Sequence, residues 1–263
     1  MIHSNTINCG DCLKLLPLIP DNSIDMIITS PPYNIGMEYD VYVDRMPWSD
    51  YYAWCKKWLA ECLRVLKPDG RMALNHYISF GDAKERTAPI MELNQIAMEL
   101  GFRHHAAAIW TDATLSRRTA WGSWLSASSP YIQTPFEGIL ILYKDSWKKL
   151  SKGTSDCPKE DFIQLTGGIW KIQPETRGRT PANFSVDLAL KCIRLLSYTN
   201  ALVLDPFSGA GTTAVACRMT ERSYIGIELS EEYCRVARDR LKEPLVLTEN
   251  IVEAQTKKQP ITQ

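Results

Sequence analysis

The sequence predicts a doubly wound α/β fold, in which a mostly parallel sheet is covered by helices on both faces. Residues 24–29 form a nearly continuous apolar run, as expected of a strand that is buried on both faces. Strand and helix patterns alternate at both ends of the chain, which is typical of parallel strand–helix–strand units. The chain has 263 residues, of which 45% are apolar, so it is long and apolar enough to bury the core that such a fold requires.

The first half of the chain alternates helices with strands. Hydrophobic periodicity and turn residues predict helices over residues 11–17, 49–66 and 85–100. The segment "KPDGR" ends the second of these helices and Gly101 ends the third. The strands expected there are 24–29, "MALNHY", "HHAAAIW" and "EGILILY".

Residues 144–180 differ from both flanking regions. They are rich in Lys, Gly, Thr and Asp and show weak periodicity, so we expect a loop-rich insertion. The alternation then resumes with helix "SVDLALKCIRLLS", strand "ALVLDPF", helix "TTAVACRM", strand "SYIGIEL" and helix "SEEYCRVARDRL". The predicted divisions are therefore 1–143, the insertion, 181–245 and a polar tail over 246–263, with the two large parts forming one domain.

Charge and apolar runs exclude several classes of protein. Lys and Arg together number 30, as do Asp and Glu, so no global positive field favours nucleic acid. Positive charge is gathered only locally, at Arg117, Arg118, Lys148, Lys149, Arg177 and Arg179, and a solvated loop is the simpler interpretation of each cluster alone. There is no apolar run of about 18 residues and no signal-like start, so a cytoplasmic protein without a membrane span is expected.

The eight cysteines are scattered, as expected of reduced and mostly buried thiols. Cys9 and Cys12 have the spacing of a metal or redox pair. No second pair completes a zinc set, so we expect no metal.

The stretch "DPFSGAGTT" at 205–213 joins a strand to a helix through a glycine-rich turn. Gly209 and Gly211 allow a tight bend and a close approach of backbone to a ligand. No Lys precedes the threonines, so this is not a triphosphate loop, and the dinucleotide fingerprint is incomplete. Glu228 ends the next strand, where a carboxylate can accept both hydrogen bonds from a ribose diol. The pattern suits S-adenosylmethionine; the alternative is a plain tight turn.

The stretch "SPPY", Ser30 to Tyr33, follows the buried strand 24–29. Two prolines fix the backbone and remove two N–H donors, so the turn presents acceptors, namely the Ser30 side chain and the carbonyls of Ser30 and Pro31. Tyr33 adds an aromatic face. Such a turn suits an exocyclic amine on a planar base; a surface turn with Tyr33 in the core is the alternative.

Together the two stretches resemble the amino-methylating DNA methyltransferases, over most of residues 8–241. Ser30, Pro31, Pro32 and Tyr33 match the family's catalytic tetrapeptide, and Phe207, Gly209 and Gly211 match its FxGxG cofactor motif. The catalytic motif comes first, which is the permuted "beta" order. The resemblance implies a Rossmann-like methyltransferase sheet whose catalytic half is 1–143, whose cofactor half is 181–245 and whose target-recognition insertion is 144–180. It implies S-adenosyl-L-methionine binding by Asp11, Asn183, Phe184, Asp205, Phe207, Ser208, Gly209, Ala210, Gly211, Thr212 and Glu228. One departure is Thr180, where the family usually has His.

The same resemblance implies methyl transfer to a flipped-out base in double-stranded DNA. The form "ITSPPY" is typical of members that modify cytosine N4, with adenine N6 as the alternative. DNA contacts are expected from the insertion and from residues 116–130, for which a loop over the cofactor is the alternative. A restriction-modification system with a separate endonuclease fits this family, and the subunit count stays open between monomer and homodimer.

Three other activities are less consistent with the sequence. A protein glutamine methyltransferase has the opposite motif order and Asn at the position of Ser30. A DNA-binding protein without catalysis would not need both motifs intact. Carbon-5 cytosine methylation needs a Cys after a Pro, whereas Cys157 precedes Pro158.

Overall fold

A computed structural model describes residues 2–81, 86–111, 122–173 and 185–244. Within these residues the strands are β1 (Thr6–Cys9), β2 (Ile24–Thr29), β3 (Leu66–Tyr77), β4 (Phe80–Gly81), β5 (Arg86–Thr87), β6 (Arg103–Thr111), β7 (Glu137–Tyr143), β8 (Ile169–Lys171), β9 (Leu202–Asp205) and β10 (Ser223–Glu228). The helices are α1 (Cys12–Leu15), α2 (Trp48–Val65), α3 (Pro89–Leu100), α4 (Lys159–Thr166), α5 (Val186–Leu196), α6 (Thr212–Met219) and α7 (Glu231–Lys242).

One mixed sheet of eight strands organises the described part of the chain. Its order is β1-β10-β9-β2-β3-β7-β6-β8, and β4 pairs with β5 separately. Within the eight-stranded sheet, neighbouring strands are parallel except at β7, which runs antiparallel to β3 and to β6. The predicted Rossmann-like α/β class is confirmed, and the reversed strand β7 is a feature that the sequence pattern did not indicate.

The strand order reverses between β2 and β9. From β2 the chain continues outward to β3, whereas from β9 it continues in the other direction to β10. Ile27 of β2 lies opposite Leu204 of β9 in a parallel ladder, so these two strands end side by side. In doubly wound sheets a crevice forms beyond the carboxyl ends of strands at such a reversal, and ligands bind there.

Apolar side chains cover both faces of the sheet. One buried cluster joins α1, α2 and α3 to the sheet, and Trp58 and Leu59 of α2 are fully buried in it. The opposite cluster is built from α5, α6 and α7 together with Leu165 of α4 and Trp170 of β8. Burial of a large apolar side chain contributes about 1.5–3 kcal/mol, so these two layers hold the sheet rigid beneath its carboxyl edge.

No helix in the described ranges combines the length and the hydropathy that a bilayer crossing requires.

The region expected to be a loop-rich insertion contains regular structure. Within 144–173, α4 and β8 form, and β8 extends the sheet by pairing in parallel with β6. The prediction missed β8 because three residues are too few to show an alternating pattern. Residues 174–184, which include Thr180, and 245–263, which include the predicted polar tail, lie outside the described residues.

The glycine turn before α6 is shaped by backbone conformation and by packing. Gly211 has φ +76°, and a Cβ placed on it would lie 3.0 Å from the Cβ of Ala237 in α7. Gly168 has the same φ of +76°, but nothing lies within 4 Å of a Cβ at that position. Comparing substitutions at the two glycines therefore separates the energetic cost of a left-handed backbone from that of steric crowding.

We expect Gly168→Ala to reduce the free energy of unfolding by about 1–2 kcal/mol, the cost of a left-handed non-glycine residue. Gly211→Ala should lose about 1–3 kcal/mol more, because the added methyl is also overpacked against α7. Urea denaturation of both variants measures the difference. Equal losses would show that contact with Ala237 does not constrain the turn.

Candidate active site

The two sequence motifs meet at the carboxyl edge of the sheet. The Oγ1 atom of Thr29, at the end of β2, donates a hydrogen bond of 2.9 Å to Oδ1 of Asp205, at the end of β9. A cleft of about 460 Å³ opens above this contact, and both Ser30 and Gly209 line it. Residues about 180 positions apart in the sequence therefore face a common space.

Asp205 lies buried beneath this cleft. It is 2% exposed and is not among the described residues that line the cleft. Its carboxylate also accepts hydrogen bonds from the Phe207 amide, at 3.1 Å, and from the Thr213 hydroxyl, at 2.6 Å. Burial raises the pKa of Asp205 to about 6, against the effect of these donors. The structure gives Asp205 a role in shaping the glycine turn, and its contact with the cofactor stays a prediction.

Glu228 occupies one end of the cleft. Its two carboxylate oxygens accept hydrogen bonds from the amides of Gly209, at 2.8 Å, and Ser230, at 2.9 Å. Burial raises the pKa of Glu228, and the amides oppose that shift. Each oxygen keeps a further lone pair, so the carboxylate can accept two more hydrogen bonds from a diol.

Aromatic side chains form the wall near Glu228. Phe207 packs against Trp54, with ring centroids 5.4 Å apart, and against Trp58 at 5.2 Å. The cleft is also lined there by Asp11, which caps α1, and by Tyr39, Tyr42, Leu229 and Tyr233. Sequence reasoning identified Asp11 and Phe207. It missed Tyr39 and Tyr42, because residues 35–46 have no periodic pattern, and it assigned no site role to Trp54 of α2 or Tyr233 of α7.

The loop after Tyr33 is held over the cleft by Asp44. The buried carboxylate accepts hydrogen bonds from the amides of Asn34, Ile35 and Met37. The Asn34 side chain exchanges two hydrogen bonds with the backbone of Met46. These contacts fix the exit from the proline turn and the course of the aromatic wall.

The proline turn carries a chain of hydrogen bonds that the sequence did not reveal. Ser30 Oγ donates to the Tyr33 hydroxyl at 2.8 Å, and that hydroxyl donates to Oε2 of Glu137 at 2.6 Å. The Asn75 amide nitrogen donates to both the Tyr33 hydroxyl and Glu137. Burial raises the pKa of Glu137 and that of Tyr33. A charged residue at the first position of the run "EGILILY" was the available sequence signal.

A second set of contacts supports the turn from inside the protein. The Tyr51 hydroxyl donates to the Pro32 carbonyl at 2.7 Å and lies 2.9 Å from Nε2 of His76. Burial lowers the pKa of His76 to about 3, so its ring is neutral. Since the Tyr51 proton is directed to Pro32, the His76 proton lies on Nε2, which donates to the Tyr51 oxygen. The His76 ring lies 4.3 Å from that of Tyr33, which fixes the tyrosine plane.

The remaining predicted cofactor residues lie in or directly after the turn behind the cleft, or outside the described residues. Ser208, Ala210 and Gly211 belong to the turn that leads into α6, and Thr212 is the first residue of that helix. Ser208, Ala210 and Thr212 are each at most 5% exposed. Asn183 and Phe184 lie outside the described residues.

The predicted DNA-binding residues that the structure describes lie at the edge of the sheet opposite the cleft. Lys148 and Lys149 follow β7, whose last residue pairs with Arg71 near the start of β3, so they lie at the edge opposite the cleft. Lys149 Nζ donates to the Asp69 carbonyl at 2.9 Å, and burial lowers its pKa. This position does not favour contact with a base at Ser30. Arg117, Arg118, Arg177 and Arg179 lie outside the described residues.

Comparisons with known proteins agree on one family. The model of the DNA methylase family matches residues 24–239. The chain is 46% identical over 160 residues to the Type II methyltransferase M.MjaVI of Methanocaldococcus jannaschii, covering 60% of this chain and 81% of that protein. It is 26% identical over 249 residues to the Type II methyltransferase M.BglII of Bacillus subtilis, covering 89% and 68%.

Solved structures share the architecture. TTHA0409 of Thermus thermophilus, described as a DNA modification methylase complexed with S-adenosyl-L-methionine, superposes with a TM-score of 0.70 at 25% identity, covering 89% of this chain and 92% of that chain. The PvuII DNA methyltransferase, described as cytosine-N4-specific, has a TM-score of 0.70 at 20% identity, covering 97% and 94%, and supports the fold. With the family model matching most of its length and both motifs facing one cleft, this chain belongs to the DNA methylase family of N6 and N4 amino-methyltransferases.

Proposed function

We propose that this protein transfers a methyl group from S-adenosyl-L-methionine to the exocyclic N4 of a cytosine in double-stranded DNA. The observation that carries the proposal is the single cleft that joins Glu228 and Gly209 to the Ser30–Pro31 turn. One half of this cleft offers acceptors for a ribose beside an aromatic wall. The other half offers acceptors for an amine.

The residues near Glu228 fit the cofactor. The Glu228 carboxylate, already oriented by two amides, accepts hydrogen bonds from the ribose hydroxyls. Asp11 lies at the adenine position that the family resemblance implies, and Tyr39, Tyr42 and Trp54 supply flat apolar surface. S-adenosylmethionine supplies an electrophilic methyl group on a sulfonium.

The proline turn holds the attacking amine. The lone pair of an exocyclic amine is delocalised into the ring, so it must be drawn out of conjugation before it can attack. Hydrogen bonds from the amine to Ser30 Oγ and to the Pro31 carbonyl favour a pyramidal nitrogen and stabilise the positive charge that develops on it. Because the cofactor lies in the same cleft, positioning supplies much of the remaining rate acceleration.

The target base reaches this cleft by rotating out of the duplex, and Tyr33 offers a face on which it can stack. Strands β6 and β8 end at the cleft edge, at Thr111 and Lys171, since both run parallel to β3. The segments that follow them contain Arg117, Arg118, Arg177 and Arg179. We therefore place the DNA-contacting segments after β6 and β8 rather than at Lys148 and Lys149. In this proposal, target recognition falls to the latter part of the 144–180 insertion.

Cytosine is favoured over adenine by the form "ITSPPY", in which a serine takes the position of the acidic residue found in many relatives. The same arrangement would act on adenine N6, which is the second candidate function. A role in a restriction-modification system, beside a separate endonuclease, is consistent with relatives that are described as Type II methyltransferases.

The base is identified by incubating the protein with methyl-labelled S-adenosylmethionine and DNA, then digesting the DNA to nucleosides. We expect labelled N4-methylcytosine. Labelled N6-methyladenine would establish the second candidate instead, and the absence of labelled nucleoside with several DNA sequences would contradict the proposed function.

Ser30→Ala should reduce the rate about 10²–10³-fold, as for loss of a group that stabilises developing charge. The exposed Ser4→Ala is the matched control and should retain the full rate.

Glu228→Gln should weaken binding of S-adenosylhomocysteine about 10-fold to 100-fold, because a charge-assisted hydrogen bond contributes about 1.5–3 kcal/mol. Titration calorimetry measures the dissociation constant. The exposed Glu160→Gln, on α4, is the control and should bind normally. Equal affinity in the two variants would remove Glu228 from the cofactor site.

DNA affinity at several salt concentrations tests the placement of the duplex. Arg177→Ala and Arg179→Ala should each weaken binding and lower the salt slope by about 1, as for loss of one phosphate contact. Lys148→Ala should change neither quantity, since Lys148 lies at the opposite edge of the sheet. The reverse result would place the DNA along the opposite edge.

A further inference from the structure

We propose that Glu137 is the final acceptor of the proton that leaves the methylated amine, and that this proton travels through the hydroxyls of Ser30 and Tyr33. The proposal rests on the proposed function and adds to it a residue and a proton path. Serine by itself is a poor base, so the path explains how a serine motif can complete the reaction.

The hydrogen bonds allow one direction for every proton in the chain. The Tyr33 oxygen accepts from Ser30 Oγ, at 2.8 Å, and from Asn75 Nδ2, at 2.8 Å. Its own proton therefore lies on the bond to Glu137 Oε2, at 2.6 Å. Asn75 Nδ2 also donates to the same carboxylate oxygen, at 2.6 Å.

This arrangement leaves Ser30 Oγ as an acceptor toward the cleft. Its single proton is engaged by Tyr33, so its remaining lone pairs are available for an amine N–H. A hydroxyl that donates along a chain ending in a carboxylate becomes a stronger acceptor, since hydrogen bonds in a chain polarise one another. The carboxylate thus acts on the amine from two residues away.

The proton transfer balances without any further reagent. The nitrogen–methyl bond forms as the methyl–sulfur bond breaks, and its electron pair stays on sulfur. As the nitrogen–methyl bond forms, positive charge develops on the nitrogen and its N–H proton passes to Ser30 Oγ in the same step, while Ser30 passes its own proton to the Tyr33 oxygen. Tyr33 passes its proton to Glu137, which becomes a neutral carboxylic acid and loses that proton to water before the next turnover.

Glu137 is the carboxylate positioned to accept a proton from the proline turn. Among the described residues that line the cleft, the carboxylates are Asp11, Glu137 and Glu228. Asp11 caps α1, and Glu228 holds the turn at the opposite end. Glu137 alone of these contacts the proline turn.

The electrostatic surroundings suit a base. Burial raises the pKa of Glu137, which strengthens it as a proton acceptor, while the hydrogen bonds from Tyr33 and Asn75 act in the other direction. Burial and the nearby Glu137 raise the pKa of Tyr33, so the phenol keeps its proton between turnovers. The other titratable rings that contact Tyr33 are Tyr77, with ring centroids 5.0 Å apart, and His76, at 4.3 Å, which is neutral because burial lowers its pKa to about 3. No cation among the described residues forms an ion pair with Glu137. The reaction should therefore accelerate as pH rises through the pKa of Glu137 and become constant above it.

Single-turnover methyl transfer by Glu137→Gln, measured from pH 5 to 9, tests the path. We expect the rate to fall about 10²-fold or more, as for loss of a general base. The rise with pH should disappear, and the dissociation constants of S-adenosylhomocysteine and DNA should stay within about threefold, a change of roughly 0.7 kcal/mol. Glu99→Gln, at an exposed position on α3, should keep both the wild-type rate and its pH profile.

Tyr33→Phe provides an independent measurement, because it interrupts the path while leaving both Glu137 and an aromatic ring in place. Its rate should fall to a similar extent, and the double variant should be no slower than the slower single variant. If Glu137→Gln does not fold, as judged by thermal unfolding, Tyr33→Phe with its pH profile decides. A rate within threefold of the wild type, or a retained pH dependence in the folded variants, overturns the proposal. A wild-type protein that methylates no base would instead overturn the proposed function.

Discussion

The site depends on one buried carboxylate. Asp205 accepts hydrogen bonds from Thr29 on β2 and from Phe207 and Thr213 in the glycine turn, so it joins the end of the catalytic strand to the start of the cofactor turn. A buried carboxylate is costly unless donors surround it, and these donors come from both motifs. The relative position of the glycine turn and the proline turn is therefore set by this satisfied group, over the ladder between β2 and β9.

The reversed strand β7 has a specific consequence for the chemistry. In a parallel strand, the first residue lies at the edge away from the ligand. Because β7 runs antiparallel to β3 and β6, its first residue, Glu137, lies at their carboxyl ends. It pairs with Tyr77, the last residue of β3, and with Trp110, the last but one of β6. A carboxylate thereby reaches the proline turn without belonging to it, and the neutral Ser30 is left facing the cleft, where we propose that the amine binds.

The two edges of the sheet have different roles. At the edge opposite the cleft, Lys149 donates to the Asp69 carbonyl and Arg71 stacks over Trp147 at 4.1 Å, so these cations hold the ends of strands in place. At the cleft edge, β6 and β8 end beside the proline turn, where the proposed function requires the duplex to approach. A basic cluster in the sequence is informative about nucleic acid only after the fold shows which edge it occupies.

Local sequence patterns were sufficient to predict the α/β class, the order of the main elements and the two motifs of the site. Apolar periodicity and turn chemistry are local, so they can be recognised without a structure; Ser30, Gly209 and Glu228 were identified in this way and line the cleft. The folded chain was needed to show that Asp205 supports the turn, that Glu137 and Asn75 contact Tyr33, and that Lys148 lies at the far edge. Each of these depends on strand direction and on pairing between distant segments, which no local pattern encodes.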